Sequence, residues 1–245
     1  MLKYRYIVLS VLYLIFCVID CCYSNIPIAD AINTGYFTST DILMSLHDSA
    51  NGYNGLMELL VVYTFPILLG IYFVSDKKTS YCIVRYDTRT QYKRNENKKV
   101  MIVAFIFSGI HQIIDFIFTM INFEGSFLRE KSFVNYTILF GLIMFLYYLE
   151  TGFLYQMIHD LLKIDLLALI ATFIVNFVQY LVIRYGFANV WIPGEDVLVA
   201  FEYFKGSIDF TVIIVTIFRS GLIIGCLYLF GQIVFEKKDI MKHEK

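Results

Sequence analysis

The sequence predicts an all-α polytopic membrane protein, a single transmembrane domain with six membrane-spanning helices. Hydrophobic residues make up 58% of the 245 residues and charged residues only 17%, against about 25% charged in an ordinary soluble domain. The mean hydropathy is +0.66. The apolar residues fall into six long blocks, each near the roughly 20 residues that a helix needs to cross about 30 Å of hydrocarbon.

The six predicted spans cover residues 7–24, 57–75, 100–122, 134–158, 164–183 and 210–234. The first block follows Lys3 and Arg5 as a signal peptide would, but no small-x-small cleavage site comes after it. We therefore expect it to remain as a span. Pro66 and Gly70 predict a kink in the second span.

The basic residues orient these spans. If the N-terminus lies inside, only Arg129, Lys131, Arg184 and Lys205 of the 20 Lys and Arg residues fall in outer loops, and Arg219 lies within a span. The remaining basic residues are cytoplasmic, as the positive-inside rule requires. The sequence thus predicts a multi-pass protein of the cell membrane with both termini in the cytoplasm.

Several classes of site have no sequence signal. A net charge of −1 gives no reason to expect nucleic acid as a partner. The five cysteines show neither a disulfide framework nor metal-ligand spacing. No G-x-x-x-x-G-K-[ST] phosphate loop is present. We therefore predict no catalytic residue, no metal ligand and no cofactor bound by this chain, which is not expected to hydrolyse ATP itself.

Residues 76–99 form the only sizeable inner segment, and it is strongly basic. Four cations recur there at mostly four-residue spacing: Arg85, Arg89, Lys93 and Arg94. Residues 81–92 lack Pro and Gly and predict a short amphipathic helix along the membrane surface. The segment either fixes topology and contacts anionic lipid headgroups or forms a docking surface for a cytoplasmic partner.

The outer segment 184–209 contains Trp191, the only tryptophan, before a Pro193-Gly194 turn. Glu195 and Asp196 follow and are suited to a helix N-terminus. Three apolar residues should then share one side of that short helix: Val197, Phe201 and Phe204. An interfacial helix would by itself explain the tryptophan, because aromatic residues favour the headgroup level.

Four ionisable residues lie within predicted spans: His111, Asp115, Glu150 and Arg219. Such groups cost several kcal/mol in hydrocarbon unless they are paired or face water. At about 1.5 Å per residue, Asp115 and Arg219 lie roughly 4 to 6 Å outward of their span centres, whereas Glu150 lies roughly 6 Å inward. This predicts an Arg219–Asp115 pair, a Glu150 that is neutral or faces a cavity, and a His111 that forms an interhelical hydrogen bond rather than a metal site.

The segment Arg85-Tyr86-Asp87-Thr88-Arg89, an RYxxR pattern after the second span, together with six spans and inner termini resembles permease subunits of type 2 ABC exporters. The similarity is closest to small bacterial permeases of bacteriocin or antimicrobial-peptide export and immunity systems. The resemblance implies a coupling helix that contacts a separate ATP-binding subunit, and ATP and Mg²⁺ would act through that partner.

Carried onto this sequence, the resemblance implies an ATPase contact through Arg85, Tyr86, Arg89 and Tyr92. It also implies an extracellular gate in the outer segment, with Trp191, Glu195 and Phe201. A second permease copy or a paralogue would complete the pathway, surrounded by membrane lipid, and a peptide is the first choice of cargo.

Three alternatives remain open from the sequence. The chain could be a non-transporting membrane immunity or binding protein. It could be an intramembrane CAAX-type protease, because Phe107 and His111 fit F-x-x-x-H and His111 and Asp115 fit H-x-x-x-D, although an E-E-x-x-x-R motif is missing. It could also be a secondary transporter in which His111, Asp115 and Glu150 carry protons.

Overall fold

A computed structural model of the chain describes residues 2–34, 38–48, 52–75, 88–186 and 191–237, and these ranges are helical almost throughout. The α-helices are α1 (Leu2–Thr34), α2 (Ser39–Asp48), α3 (Thr64–Val74), α4 (Arg89–Asn122), α5 (Gly125–Glu130), α6 (Phe133–Leu162), α7 (Asp165–Tyr185), α8 (Val199–Phe204) and α9 (Phe210–Lys237). A π-helical turn, Glu58–Val62, precedes α3, and a 3₁₀ turn, Pro193–Leu198, precedes α8.

Within the described residues, five helices are long and apolar enough to cross a membrane: residues Tyr4–Ser24 of α1, and α4, α6, α7 and α9. They correspond to five of the six predicted blocks. The chain is therefore a polytopic helical membrane protein.

The second predicted block forms a shorter apolar helix, Glu58–Val74. At about 1.5 Å per residue its 17 residues span about 25 Å, less than the roughly 30 Å of the hydrocarbon core. The irregular turn lies before Pro66, where Tyr63 N–H donates to Glu58 O at 2.8 Å. Pro66 itself occupies the first turn of α3, where its missing N–H leaves no hydrogen bond broken.

Helix α6 is the centre of the bundle. In its most apolar window 61% of residues are buried, against 44% in α4 and 17% in both α7 and α9. It packs against α4, α7 and α9, and also against the 3₁₀ turn and α8. Gly152 permits its close approach to its neighbours, because a Cβ there would meet Val100 and lie 2.9 Å from Ile71 Cδ1.

Helix α4 begins well before the apolar block predicted at residues 100–122. Thr88 caps its N-terminus by accepting a hydrogen bond from Gln91 N–H at 3.1 Å. Tyr92, Glu96 and Val100 are fully buried, and their four-residue spacing places them on one side of the helix. The inner turns of α4 therefore continue into the bundle. Of the predicted surface helix at residues 81–92, the part up to residue 87 lies outside the described residues.

Candidate functional site

The outer segment is held by a cluster of three side chains, Trp191, Asp196 and Arg219. The Arg219 guanidinium donates two hydrogen bonds to the Asp196 carboxylate, one of them from Nε to Oδ2 at 3.2 Å. It also lies 4.0 Å from the centre of the Trp191 ring. Trp191 Nε1 donates to Asp196 Oδ1 at 2.9 Å. The charges of Arg219 and Asp196 compensate each other, and Trp191 contacts both groups.

The predicted pairing of Arg219 with Asp115 is therefore wrong. The depth argument compared only groups within spans, whereas the partner of Arg219 comes from the segment between spans. Burial raises the pKa of the Asp196 carboxyl, and hydrogen bonds from Trp191 and Arg219 act in the opposite direction.

The segment reaches into the bundle instead of lying across its outer face. Arg219 is about 13 Å of helix rise from Phe210, where α9 begins. Gly194 N–H donates to Gln179 Oε1 of α7 at 2.9 Å. Irregular backbone inside a helical membrane bundle is tolerated where protein groups satisfy it, and Gln179 does so for Gly194, while Arg219 holds the Asp196 side chain. We call Pro193–Leu198 the re-entrant turn.

The residues expected to form an outer gate have different surroundings. Phe201 is 1% exposed, and Lys205 Nζ lies 4.3 Å from its ring centre. Val197 is also buried, and Phe204 packs on Tyr136 with ring centres 4.7 Å apart. The three apolar residues, predicted only to share one side of a short helix, thus all face the bundle. Glu195 is only half-buried, and the described contacts give its carboxylate no partner.

Glu150 faces a cavity, which is one of the two alternatives that its lack of a basic partner suggested. The cavity has a volume of about 310 Å³ and lies between α6, α7, α9 and Pro193. Ser220, Arg219 and Asp196 all lie near the Glu150 carboxyl and interact with it. Glu150 is therefore close to the outer cluster although it belongs to a different helix.

His111 and Asp115 belong to a separate polar cluster centred on Asn54. His111 Nε2 lies 2.7 Å from Asn54 Oδ1, and the His111 ring stacks on Tyr53 with centroids 4.2 Å apart. Asp115 and Tyr136 lie close to Asn54 and interact with it electrostatically. The hydrogen bond of His111 thus goes to the turn before the second apolar block instead of a neighbouring helix.

A third cluster joins the ends of four helices on the side that the sequence predicts to be cytoplasmic. Lys93 Nζ of α4 lies 2.7 Å from Asp160 Oδ2 of α6, and both side chains are at most 2% exposed. Tyr92 stacks on Phe235 of α9 with centroids 5.7 Å apart. His159 Nε2 lies 2.5 Å from Asp165 Oδ1 at the start of α7. We call these residues the inner cluster.

The four residues assigned to the ATPase contact do not share one environment. Tyr92 is 0% exposed, so its assignment to a docking surface is corrected: its ring packs inside the bundle because α4 extends farther inward than its apolar block. Arg89 is exposed at the start of α4. Arg85 and Tyr86 lie outside the described residues.

A CAAX-type protease needs two histidines close together, but His111 and His159 lie far apart. His159 lies beside Asp160, the partner of Lys93, while His111 is about 27 Å of helix rise from Lys93 along α4. Within the part of the chain that the structure describes, no three His, Cys, Asp or Glu residues are grouped so that they could hold a metal ion.

Sequence reasoning missed the nonlocal partners: Asp20, Asn54, Lys93, Asp160 and Asp196. Tyr63, for example, donates to Asp20 Oδ2 at 2.5 Å and so connects α1 to the start of α3. One signal was available for Lys93 and its neighbours, because the buried positions of α4 continue its apolar stripe at helical spacing. The sequence instead predicted Lys93 on the basic surface of the inner segment, with Arg85, Arg89 and Arg94.

Comparisons with family models, curated proteins and solved structures find no match.

Proposed function

We propose that the chain is the membrane-spanning permease subunit of an ATP-driven exporter of the type 2 ABC kind, with six spans, cytoplasmic termini and the ATPase in a separate subunit. Its cargo is a peptide or another hydrophobic compound, for self-immunity or secretion. The observation that carries the proposal is the inner cluster, which connects an exposed cytoplasmic helix end directly to the interior of the bundle.

The first step is mechanical continuity within α4. Arg89, exposed on the inner side, and His111, deep in the bundle, belong to one unbroken helix, Arg89–Asn122. A push on the RYxxR segment would be carried along α4 as movement of a rigid element, because the backbone hydrogen bonds of a continuous helix resist bending.

The second step is transfer from α4 to its neighbours. The Lys93–Asp160 pair joins α4 to α6, and the Tyr92–Phe235 stack joins it to α9. Thr90 Oγ1 adds a 3.3 Å hydrogen bond to Glu236 Oε1. A buried ion pair cannot separate cheaply, because each charge would be left without a partner. The three inner ends should therefore move together.

The third step reaches the outer side through α9. Phe235 lies in the inner cluster, and Arg219 on the same helix holds the re-entrant turn. The two residues are about 24 Å apart along the helix. One helix thus connects the inner contact to the outer closure, as alternating access requires of a nucleotide-driven permease.

A single copy leaves much of its surface to lipid or another subunit. Only 17% of the most apolar windows of α7 and α9 is buried. A second copy or a paralogue would provide the other half of a pathway. Their apolar side chains are equally suited to acyl chains, so this part of the proposal rests on the family resemblance.

The experiment is co-purification from a mild detergent with the products of the neighbouring genes, followed by mass measurement to find whether a Walker-type ATPase is among them. We expect the unmodified chain to retain the ATPase and the double variant Arg85→Glu/Arg89→Glu to lose it. The matched control is Arg129→Glu/Arg184→Glu, which makes the same charge change at exposed outer positions and should retain it. Retention by the inner variant would contradict the proposed contact. Failure of the unmodified chain to bind any ATPase would favour a non-transporting binding protein.

A further inference from the structure

The cavity beside Glu150 combines an apolar wall with one carboxyl group. Its apolar lining includes Leu154, Val175, Ile223 and Leu227, contributed by α6, α7 and α9. Its volume of about 310 Å³ is at the lower end of the range of small-molecule sites. Such a wall would take up the hydrocarbon body of a small amphipathic molecule.

Most polar groups that line the cavity already have protein partners. Tyr147 OH donates to Asn176 Oδ1 at 2.6 Å, and Asn176 Nδ2 donates to Thr172 O at 3.1 Å. Gln179 Oε1 accepts from Gly194 N–H. These groups shape the wall and leave little capacity for recognising a polar ligand.

Glu150 is the only charged residue in this lining. It is 7% exposed, and among the described residues no ammonium or guanidinium forms a salt bridge with it. The nearby Arg219 is committed to Asp196 by two hydrogen bonds and to the ring of Trp191. Because the Arg219 and Asp196 charges compensate each other, an ionised Glu150 leaves the cavity with one uncompensated negative charge.

The geometry points to a binding site for a small amphipathic amine, with its protonated nitrogen on the Glu150 carboxylate and its hydrocarbon body against Leu154, Val175, Ile223 and Leu227. An ammonium group would supply the missing counter-charge and up to three hydrogen-bond donors. A neutral or anionic amphiphile of the same length would leave that charge buried without a partner, which is costly. The site thus selects for positive charge, and this inference does not depend on the proposed ATPase contact.

The molecule contains its own reporter for the test. Trp191 is the only tryptophan, and it lies two residues from Pro193, which lines the cavity. The experiment is a titration of the purified chain, in nanodiscs of zwitterionic phospholipid, with octylamine at neutral pH while Trp191 fluorescence is recorded. Octanol and octanesulfonate serve as neutral and anionic probes of matched length, and empty nanodiscs correct for partitioning.

We expect a saturable change with octylamine and none with octanol or octanesulfonate. Glu150→Gln keeps the size of the side chain and removes its charge, and should weaken octylamine binding about tenfold or more. Glu202→Gln makes the same change at a partly exposed carboxylate outside the cavity and should bind like the unmodified chain. Equal saturable binding of octanol, or undiminished octylamine binding by Glu150→Gln, would overturn the inference, as would no saturable binding at all.

A second variant covers poor folding of Glu150→Gln. Val175→Phe adds volume to the cavity wall at a position that is 39% exposed, so the bundle should accept it. Saturable octylamine binding should then be lost while the thermal unfolding temperature stays close to that of the unmodified chain. If octylamine still saturates Val175→Phe with unchanged affinity, the amine does not occupy this cavity.

Discussion

Lys93 and Asp160 form an ion pair at 2.7 Å that joins the inner ends of α4 and α6, and each side chain is at most 2% exposed. Asp160→Asn leaves the Lys93 charge without its carboxylate in a buried site, and should lower the free energy of unfolding by on the order of 3 kcal/mol. Thermal unfolding in detergent measures the loss.

The double variant Lys93→Met/Asp160→Leu removes both charges and should recover much of that stability. Lys98→Ala, an exposed position on the same helix, should change the unfolding temperature little. If Asp160→Asn were as stable as Lys98→Ala, the ion pair would not hold the inner ends together.

The Arg219–Asp196 contact should hold the re-entrant turn in place, so weakening this contact should make the turn more mobile. Arg219→Lys keeps the charge but loses the forked guanidinium geometry and its stacking on Trp191. We expect acrylamide to quench Trp191 fluorescence more strongly in this variant, because the turn is held less firmly. Glu195→Gln changes a charge in the same turn outside this cluster and should leave quenching unchanged. Equal quenching of Arg219→Lys and the unmodified chain would contradict the proposed anchoring.

Gly152 predicts a steric effect at the centre of the bundle. Gly152→Ala would drive a methyl group towards Val100 and to within 2.9 Å of Ile71 Cδ1, and should destabilise the fold by about 1 to 3 kcal/mol. Gly221→Ala is the matched control, because a Cβ there meets nothing within 4 Å. It should be neutral or slightly stabilising, since alanine favours helices. Thermal unfolding distinguishes the two, and equal values would mean that α6 does not pack this closely.

If Glu58–Val74 crosses the membrane, α2 and the start of α4 lie on opposite sides. If it does not cross, they lie on the same side. In a background free of the five native cysteines, Asp41→Cys should react with a membrane-impermeant maleimide added outside intact cells. Gln91→Cys should react only after the membrane is opened. Both positions are exposed in the structure. Labelling of both from the same side would show that Glu58–Val74 does not cross.

The apolar blocks predicted the helices well because crossing hydrocarbon is a local requirement on each segment. Length and composition suffice, and neighbours need not be known. The inward extension of α4 was missed for the same reason. The polar run from Lys93 to Lys99 ends the apolar block, and only the partners of Tyr92 and Lys93 on α9 and α6 explain their burial.

By itself the sequence determined that this chain resides in a membrane, the approximate positions of its apolar spans, and that Val197 and Phe201 share one side of the outer segment. Only the tertiary structure decided which charges meet. The partner of Arg219 is Asp196 and not Asp115, because the outer segment folds back to the depth of Arg219. Depth along a helix constrains where a charge lies, but it does not show which segment returns to that depth. A pairing between distant residues depends on the path of the whole chain.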